Sequence, residues 1–274
     1  MKINHIYHSA FMITMENSTM LFDWYKGDLP RTDPDKKLFV FCSHSHGDHY
    51  SEKIWDLQKT HSDVTYILDE GIEEAKQHAE ADILFVSPRH KYTLSWKSSD
   101  SDRSAHSASI VTLTSTDMGV AFCIETEGRR IYHAGDLNVW FWNDEPMEDN
   151  IASEKKCREE MAFLAGILKK YPSLMELEDG PVTGAFHESI TFSSGRQGAE
   201  ETGLLDAAFV PLDFRLEEHA PRCIASFMEI LGARYVFPMH YWGKRSQVME
   251  YMKDDRISSY TDRIHFDDEF EIRS

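Results

Sequence analysis

Short apolar runs separated by polar turns dominate the first half of the chain, and a helical rhythm enters in the second. Apolar and alternating positions predict strands at 3–14 and 19–24, joined around Glu16-Asn17-Ser18, and a buried strand at 38–43. Strands at 64–68 and 83–86 follow, the latter closed by Ser87-Pro88, with short helices near 51–60 and 71–79. Ser98 to Ser109 is rich in Ser and Asp and reads as a solvent loop. Further strands are expected at 110–115, 119–126 and 130–134, the last two joined by Glu127-Gly128. Beyond Asp136, the spacing of Cys157, Met161, Leu164 and Leu168 predicts a helix over 154–170, ended by Pro172. Residues 173–203 show little periodicity and several glycines, which suits either a lid or a plain surface excursion. A strand at 204–212, a helix at 221–231 and a strand at 234–238 complete the pattern. No linker or repeat interrupts it. One domain over 1–274 is therefore expected, with a lid or insertion at about 140–203.

Bulk composition narrows the function classes. The 274 residues are 41% hydrophobic and 28% charged, with room for a substantial core. A net charge of -18 argues against nucleic acid as a partner, because binding a phosphate backbone relies on Lys and Arg. It leaves a small anionic substrate open, since bound dications reverse the local field. Cys42, Cys123, Cys157 and Cys223 are scattered without a Cys-x-x-Cys pair, so a reducing cytoplasm is the expected compartment. The N-terminus lacks a signal-peptide core, and no apolar run approaches the ~20 residues needed to span a bilayer. A membrane partner is not expected, and the oligomeric state stays open.

The chemistry concentrates in His44-Ser45-His46-Gly47-Asp48-His49, directly after the apolar run Leu38-Phe39-Val40-Phe41-Cys42. Alternate side chains of extended chain point the same way, so His44 and His46 can converge on one ion. Gly47 would let the chain turn, freeing Asp48 and His49 for a second ion. The bland alternative is a solvated, His-rich loop. No Gly-rich phosphate loop follows a strand, and Gly-x-Ser-x-Gly is absent. Glu200-Glu201, Glu217-Glu218 and Asp267-Asp268-Glu269 read as solvated acidic faces.

The HxHxDH pattern resembles the signature of the metallo-β-lactamase-fold hydrolases. Three other stretches extend the likeness: the opening Tyr7-His8-Ser9-Ala10-Phe11 with Leu21-Phe22-Asp23, the run His133-Ala134-Gly135-Asp136, and Phe237-Pro238-Met239-His240 near the end. The branch that includes ascorbate-6-phosphate lactonase-like proteins is the nearest in pattern. The resemblance implies an α/β fold, a four-layer αββα sandwich of two mixed β-sheets flanked by helices. It also implies a dinuclear, metal-dependent hydrolase with two divalent ions, Zn2+ first and Mn2+ or Fe as alternatives.

On that resemblance His44 and His46 would hold the first ion, Asp48, His49 and His240 the second, and Asp136 would bridge both. A water shared between the ions would be acidified to hydroxide and cleave a small anionic ester, lactone or phosphodiester. Asp48 would also orient that water or pass a proton. The family's usual third His for the first ion is missing, and Thr114-Ser115-Thr116-Asp117-Met118-Gly119 stands in its place. Asp117 is the candidate substitute, with a turn cap as its alternative. His187, in the long insertion, is either a further reach toward the metals or a surface residue. Around the centre, His133 would support Asp136, and His8 would lie near the metals or be a buried, hydrogen-bonded His. Asp213 and Arg215 form either a surface ion pair or a substrate contact, Arg215 suiting a phosphate or carboxylate. Trp140, Trp142, Tyr241 and Trp242 either wall a pocket or belong to the core. Two other readings remain: a nuclease of the same fold, or a non-catalytic metal-binding or sensing protein. A di-iron redox role is less favoured, without an appended flavin region.

Overall fold

The structure, a computed structural model, describes residues 1–97, 104–184 and 205–273. Two mixed seven-stranded sheets form its centre. The first contains β1 (Lys2–Tyr7), β2 (Ala10–Thr14), β3 (Ser18–Phe22), β4 (Lys37–Cys42), β5 (Val64–Asp69), β6 (Asp82–Val86) and, at its outer edge, β14 (Glu269–Glu271). The second contains β7 (His90–Lys97), β8 (Ala105–Thr114), β9 (Val120–Thr126), β10 (Arg129–His133), β11 (Gly180–Pro181), β12 (Ala207–Pro211) and β13 (Tyr235–Met239). In each sheet a block of antiparallel strands passes into parallel ones, β3 to β6 in the first and β10, β12 and β13 in the second.

Strand periodicity explains the layering. On β4, Phe39 and Phe41 belong to the core between the sheets, while Leu38, Val40 and Cys42 belong to a separate cluster with Ile54 and Leu57. Alternate side chains thus feed two layers, which is why the whole strand is buried and apolar. Between the sheets Phe22 stacks on Phe41 at 4.6 Å, and Phe11 meets Phe209 at 4.4 Å. Outside the second sheet lie α1 (Met147–Lys170) and α2 (Arg222–Ile230), packed on each other and on β8 and β12. Helix, sheet, sheet, helix is the order predicted.

Several boundaries differ from expectation. Residues 3–14 are two strands, broken at His8-Ser9, where His8 takes φ +57°. The helices expected near 51–60 and 71–79 are short 3-10 segments, Glu52–Lys59 and Glu73–Gln77. β7 is an additional strand, and the polar stretch assigned to a loop contains the start of β8, paired with it through Lys97↔Ala105. α1 begins seven residues before the apolar spacing becomes visible, at Met147 rather than 154. Within the stretch read as a lid or surface excursion, Leu174–Glu176 forms a 3-10 turn, and β11 pairs with β7. His187 and the rest of that stretch from 185 to 204 lie outside the described residues. Among the described residues no helix is long and apolar enough to cross a membrane.

Candidate metal centre

The candidate metal ligands and their buried partners sit just beyond strand ends. Ser43 to His49 follows β4, Asp136 follows β10, Asp213 follows β12, and His240 follows β13. His8 lies between β1 and β2, Asp23 follows β3, and Asp117 follows β8. Backbone that has just left a sheet frees its side chains for a cleft, the usual place for sites in open α/β sheets.

Two glycines lock the His-bearing segment in place. A Cβ on Gly119 (φ +70°) would lie 2.0 Å from the Ser43 carbonyl oxygen, and one on Gly135 (φ +51°) would lie 2.7 Å from Ser43 Cβ. Ser43 and His44 are clamped between them, with Val120 N donating to Ser43 O at 3.0 Å. The chain turns at Gly47 as expected, with His46 O accepting from His49 N and Tyr50 N at 2.9 Å each. Its backbone is nevertheless not in the left-handed region, and a Cβ there would meet nothing within 4 Å. Backbone strain sits at His8, Asp23, His240 and Trp242, four of the seven non-glycine residues with positive φ among the described residues. Such strain persists only where surrounding contacts over-determine it, and it gathers at functional sites.

Two ligand-type groups result: His8, Asp48, His49 and His240, and His44, His46, Asp117 and Asp136, with the contact atoms of each within 4.8 Å of one another. Asp136 stands between them. Its Oδ1 is 3.1 Å from His49 Nε2 and 3.2 Å from His240 Nε2, and its Oδ2 is 3.6 Å from His44 Nε2. Asp117 Oδ2 lies 3.7 Å from His46 Nδ1, and both side chains are half exposed. Asp117 N–H is capped by Ser115 Oγ at 3.2 Å, so the turn role and the approach to His46 coexist.

Hydrogen bonds behind the centre decide which ring nitrogens are bare. Asp23, wholly buried, accepts from His49 Nδ1 at 2.7 Å and from Ser43 N and Oγ at 2.8 Å each. With its hydroxyl hydrogen given to Asp23, Ser43 Oγ can only accept from His44 Nδ1, 3.0 Å away. Asp213, also wholly buried, accepts from His240 Nδ1 at 3.0 Å. In all three rings the proton is on Nδ1 and the Nε2 lone pair faces inward. The Nε2 atoms of His44, His49 and His240 and Asp136 Oδ1 are buried, each without a hydrogen-bond partner. Lone pairs turned on one another at these distances repel, and a cation between them removes the conflict, whether a proton on His49 Nε2 toward Asp136 or a metal ion that takes its place. The residues therefore fit divalent metal.

Titration follows from the same contacts. Burial alone would lower His49, but Asp136 and Asp23 on either side outweigh it and hold its pKa well above the ordinary value. That proton is what a divalent ion would displace. Burial brings His44 down to about 4, with repulsion from His49 adding to it. Burial would raise the Asp136 carboxyl, yet His49 and His240 hold it far below the carboxylate range.

His8 has the opposite tautomer. Trp242 N–H donates to its Nδ1 at 3.3 Å, so Nε2 carries the proton and points at Asp48 Oδ2, 3.3 Å away. A metal at His8 Nε2 would set two donors, Nδ1–H and Trp242 N–H, against each other. His8 thus braces Asp48. His133 gives Nε2–H to Ser9 O at 2.9 Å and accepts from Gly135 N, so it supports the turn before Asp136 and not that carboxylate. Asp213 and Arg215 are a paired unit, as expected, with Arg215 exposed but Asp213 buried, its carboxylate holding His240. Asp23 and Ser43 are the functional residues that sequence reasoning assigned no role. The available signal was a charged residue directly after the apolar end of β3, Met20-Leu21-Phe22.

A cavity of about 510 Å³ opens onto this centre, lined by His46, Asp48, Asp117 and Asp136 on one side and by Trp140, Trp142, Arg215 and Trp242 on the other. The loop carrying Trp140 and Trp142 is pinned by α1, through Ser153 Oγ to Trp140 N and Asn150 Oδ1 to Trp142 N.

Two facing mixed sheets with a His- and Asp-rich centre at their common edge define the metallo-β-lactamase fold. The family model for the beta-lactamase superfamily domain matches residues 2–146, which is 145 of 274 residues, and the chain belongs to that family. It is similar to a protein named UPF0173 metal-dependent hydrolase from Opitutus terrae, 26% identical over 148 residues, covering 51% of this chain and 64% of the relative. A protein of the same name from Korarchaeum cryptofilum is 25% identical over 144 residues, covering 51% and 62%. The chain thus spans less than two thirds of either relative. Among solved structures, Igni18, a metallo hydrolase from Ignicoccus hospitalis, matches with TM-score 0.57 and 14% identity over 99% of both chains. CmlA, a diiron β-hydroxylase from Streptomyces venezuelae, matches with TM-score 0.53 and 9% identity over 100% of this chain and 54% of that one. One fold therefore carries different reactions in those proteins, and the site must decide here.

Proposed function

We propose that the protein is a dinuclear metal-dependent hydrolase of a small, anionic ester, lactone or phosphodiester. His44, His46 and Asp117 would hold one ion, Asp48, His49 and His240 the other, with Asp136 shared. The observation that carries this reading is the convergence of the inward-facing Nε2 atoms of His49 and His240 on Asp136 Oδ1 and of His44 Nε2 on its Oδ2. Zinc is the expected metal for this imidazole-rich set, with manganese or iron as alternatives. When bound, the ions supply a more acidic water and a positive field for the oxyanion that develops.

The chain's own groups do the rest. Asp48 Oδ2 lies beside the centre with its side chain 20% exposed to the cavity. Burial would raise its pKa, but His8 and His49 keep it a carboxylate. It accepts a proton from the attacking water and returns it to the departing oxygen, so the C–O or P–O bond breaks without a covalent protein intermediate. His8 fixes the carboxylate for this exchange. Asp213 and Asp23 fix His240 and His49.

Metal stoichiometry measured together with a panel of phosphodiesters, esters and lactones tests the reading. Two equivalents with turnover are expected, and His46→Ala and Asp136→Ala should lose metal and activity while staying folded. One tight equivalent without turnover would replace this reading with a metal-sensing one. Unchanged metal content in both variants would remove the ligand assignment.

A further inference from the structure

The aromatic wall of the cavity beside the metal-binding groups keeps apolar surface in the open, although Trp140 and Trp142 also pack against the core. Three of the six tryptophans in the chain, Trp140, Trp142 and Trp242, stand there partly exposed. Indole is the largest apolar surface a side chain offers, and packing would normally bury it in the core. Between two of them stands Arg215, its guanidinium carbon 5.8 Å from the Trp142 ring centre and 5.4 Å from that of Trp242. Its Nε and Nη2 are committed to Asp213. No hydrogen bond to its Nη1 occurs among the described residues, although the side chain is 40% exposed. The Nε1–H of Trp242 is buried with no acceptor. A guanidinium braced by a buried carboxylate, with a spare edge exposed at the cavity, is set to receive an oxyanion.

Geometry also says where a ring would lie. Trp140 and Trp142 are parallel within 3°, with centroids 6.1 Å apart. A ring held between them needs two contacts of roughly 3.5 Å, about 7 Å in all, so it cannot enter. It can stack on the cavity-facing side. Trp140 is fixed there, with Nε1 donating to Asp136 O at 3.2 Å and its ring 5.6 Å from His240. A flat group on this wall therefore lies against the metal-binding side chains.

We propose that Trp140, Trp142, Trp242 and Arg215 form a subsite for a planar, conjugated group bearing an oxyanion, so that the substrate is an aryl or heteroaryl carboxylate or phosphate derivative. The inference deepens the hydrolase reading and rests on it for the word substrate, but the subsite is testable by binding alone. A volume near 510 Å³ holds one or two rings with their substituents.

The test is calorimetric and fluorescence titration of the full chain, zinc-loaded and chelator-treated, with phenylphosphonate and methylphosphonate, and with benzoate and acetate. Each aryl probe should bind at least tenfold more tightly than its alkyl partner in both preparations, with quenching of tryptophan emission. Trp142→Ala should erase that ratio, and Trp142→Phe should keep most of it. Arg215→Gln, which removes the guanidinium and leaves the three tryptophans in place, should weaken both phosphonates severalfold while keeping the ratio. The phosphonate and benzoate arms show which oxyanion Arg215 favours. Equal binding of aryl and alkyl probes overturns the proposal, as does a Trp142→Ala effect equal on both members of a pair. Aryl selectivity in a protein that hydrolyses nothing would uphold the subsite and remove the hydrolase reading. Turnover without aryl selectivity would do the reverse.

Discussion

Replacing Asp23 by Asn changes one atom of a wholly buried side chain and should disable one metal position from behind. The carboxylate has two jobs at present: Oδ1 accepts from Ser43 N, and Oδ2 accepts from Ser43 Oγ and His49 Nδ1. An Asn must keep its oxygen toward Ser43 N, because that backbone group can only donate. Its amide nitrogen then faces His49 Nδ1 and donates to it. The proton on His49 moves to Nε2, closing the lone pair that faces Asp136. Restoring the ligand tautomer would give up a hydrogen bond to a charged group, about 1.5–3 kcal/mol. Loss of such an outer partner typically lowers metal affinity 10–100-fold, about 1.4–2.7 kcal/mol, so the two routes agree. Chelator competition should therefore show one of two equivalents weakened by 10–100-fold in Asp23→Asn. The other should change less, because His46 and Asp117 have no contact with Asp23 and only His44 is linked, through Ser43 Oγ. Both equivalents within threefold of the parent protein would refute the tautomer reasoning.

Three other outcomes follow from single contacts. His8→Gln keeps a donor near Asp48 and should retain both metal equivalents and the ligand-field spectrum of the cobalt-substituted protein, whereas His8→Ala should slow turnover; a shifted spectrum in both would make His8 a ligand. Gly135→Ala forces a left-handed backbone and pushes Cβ into Ser43 and Val120 O, so calorimetry should show a loss of roughly 2–5 kcal/mol, and a loss under half a kcal/mol would contradict the clamp. Burial raises the Asp69 carboxyl to about 6. A folded-state pKa above the unfolded one favours the protonated native form, so this contribution is complete below about pH 4 and disappears as pH rises through 6. Asp69→Asn should accordingly match the parent near pH 4 and exceed it by about 2–3 kcal/mol near pH 7, while a difference flat across that range would count against the burial argument.

The centre was legible where its residues are neighbours in sequence and veiled where they meet only in space. His44, His46, Asp48 and His49 announce themselves because one strand end carries all four, and His240 and Asp136 because each ends a strand of its own. Asp23 and Ser43 carry no such mark. A single Asp after an apolar strand is ordinary until the fold sets His49 2.7 Å from it. The turn at Gly47 was legible because it lies inside the motif, whereas the clamp on Ser43 by left-handed Gly119 and Gly135 was not, since those glycines come from distant parts of the chain. Asp213 and Arg215 were read as a surface ion pair or a substrate contact, since sequence cannot show that Asp213 is buried against His240. The start of α1 was hidden for a related reason: Asn150 and Ser153 hold the tryptophan loop, so its first turns are polar by function. β7 escaped because a strand carrying Lys91, Thr93 and Ser95 looks like a loop until β8 pairs with it along its length.

The most direct test of the central claim is anomalous scattering at the zinc, iron and manganese edges from crystals grown without chelator. Two peaks are expected, one among His44, His46 and Asp117 and the other among Asp48, His49 and His240, both against Asp136. Density without an anomalous peak at either position, or a lone peak away from Asp136, would contradict the account.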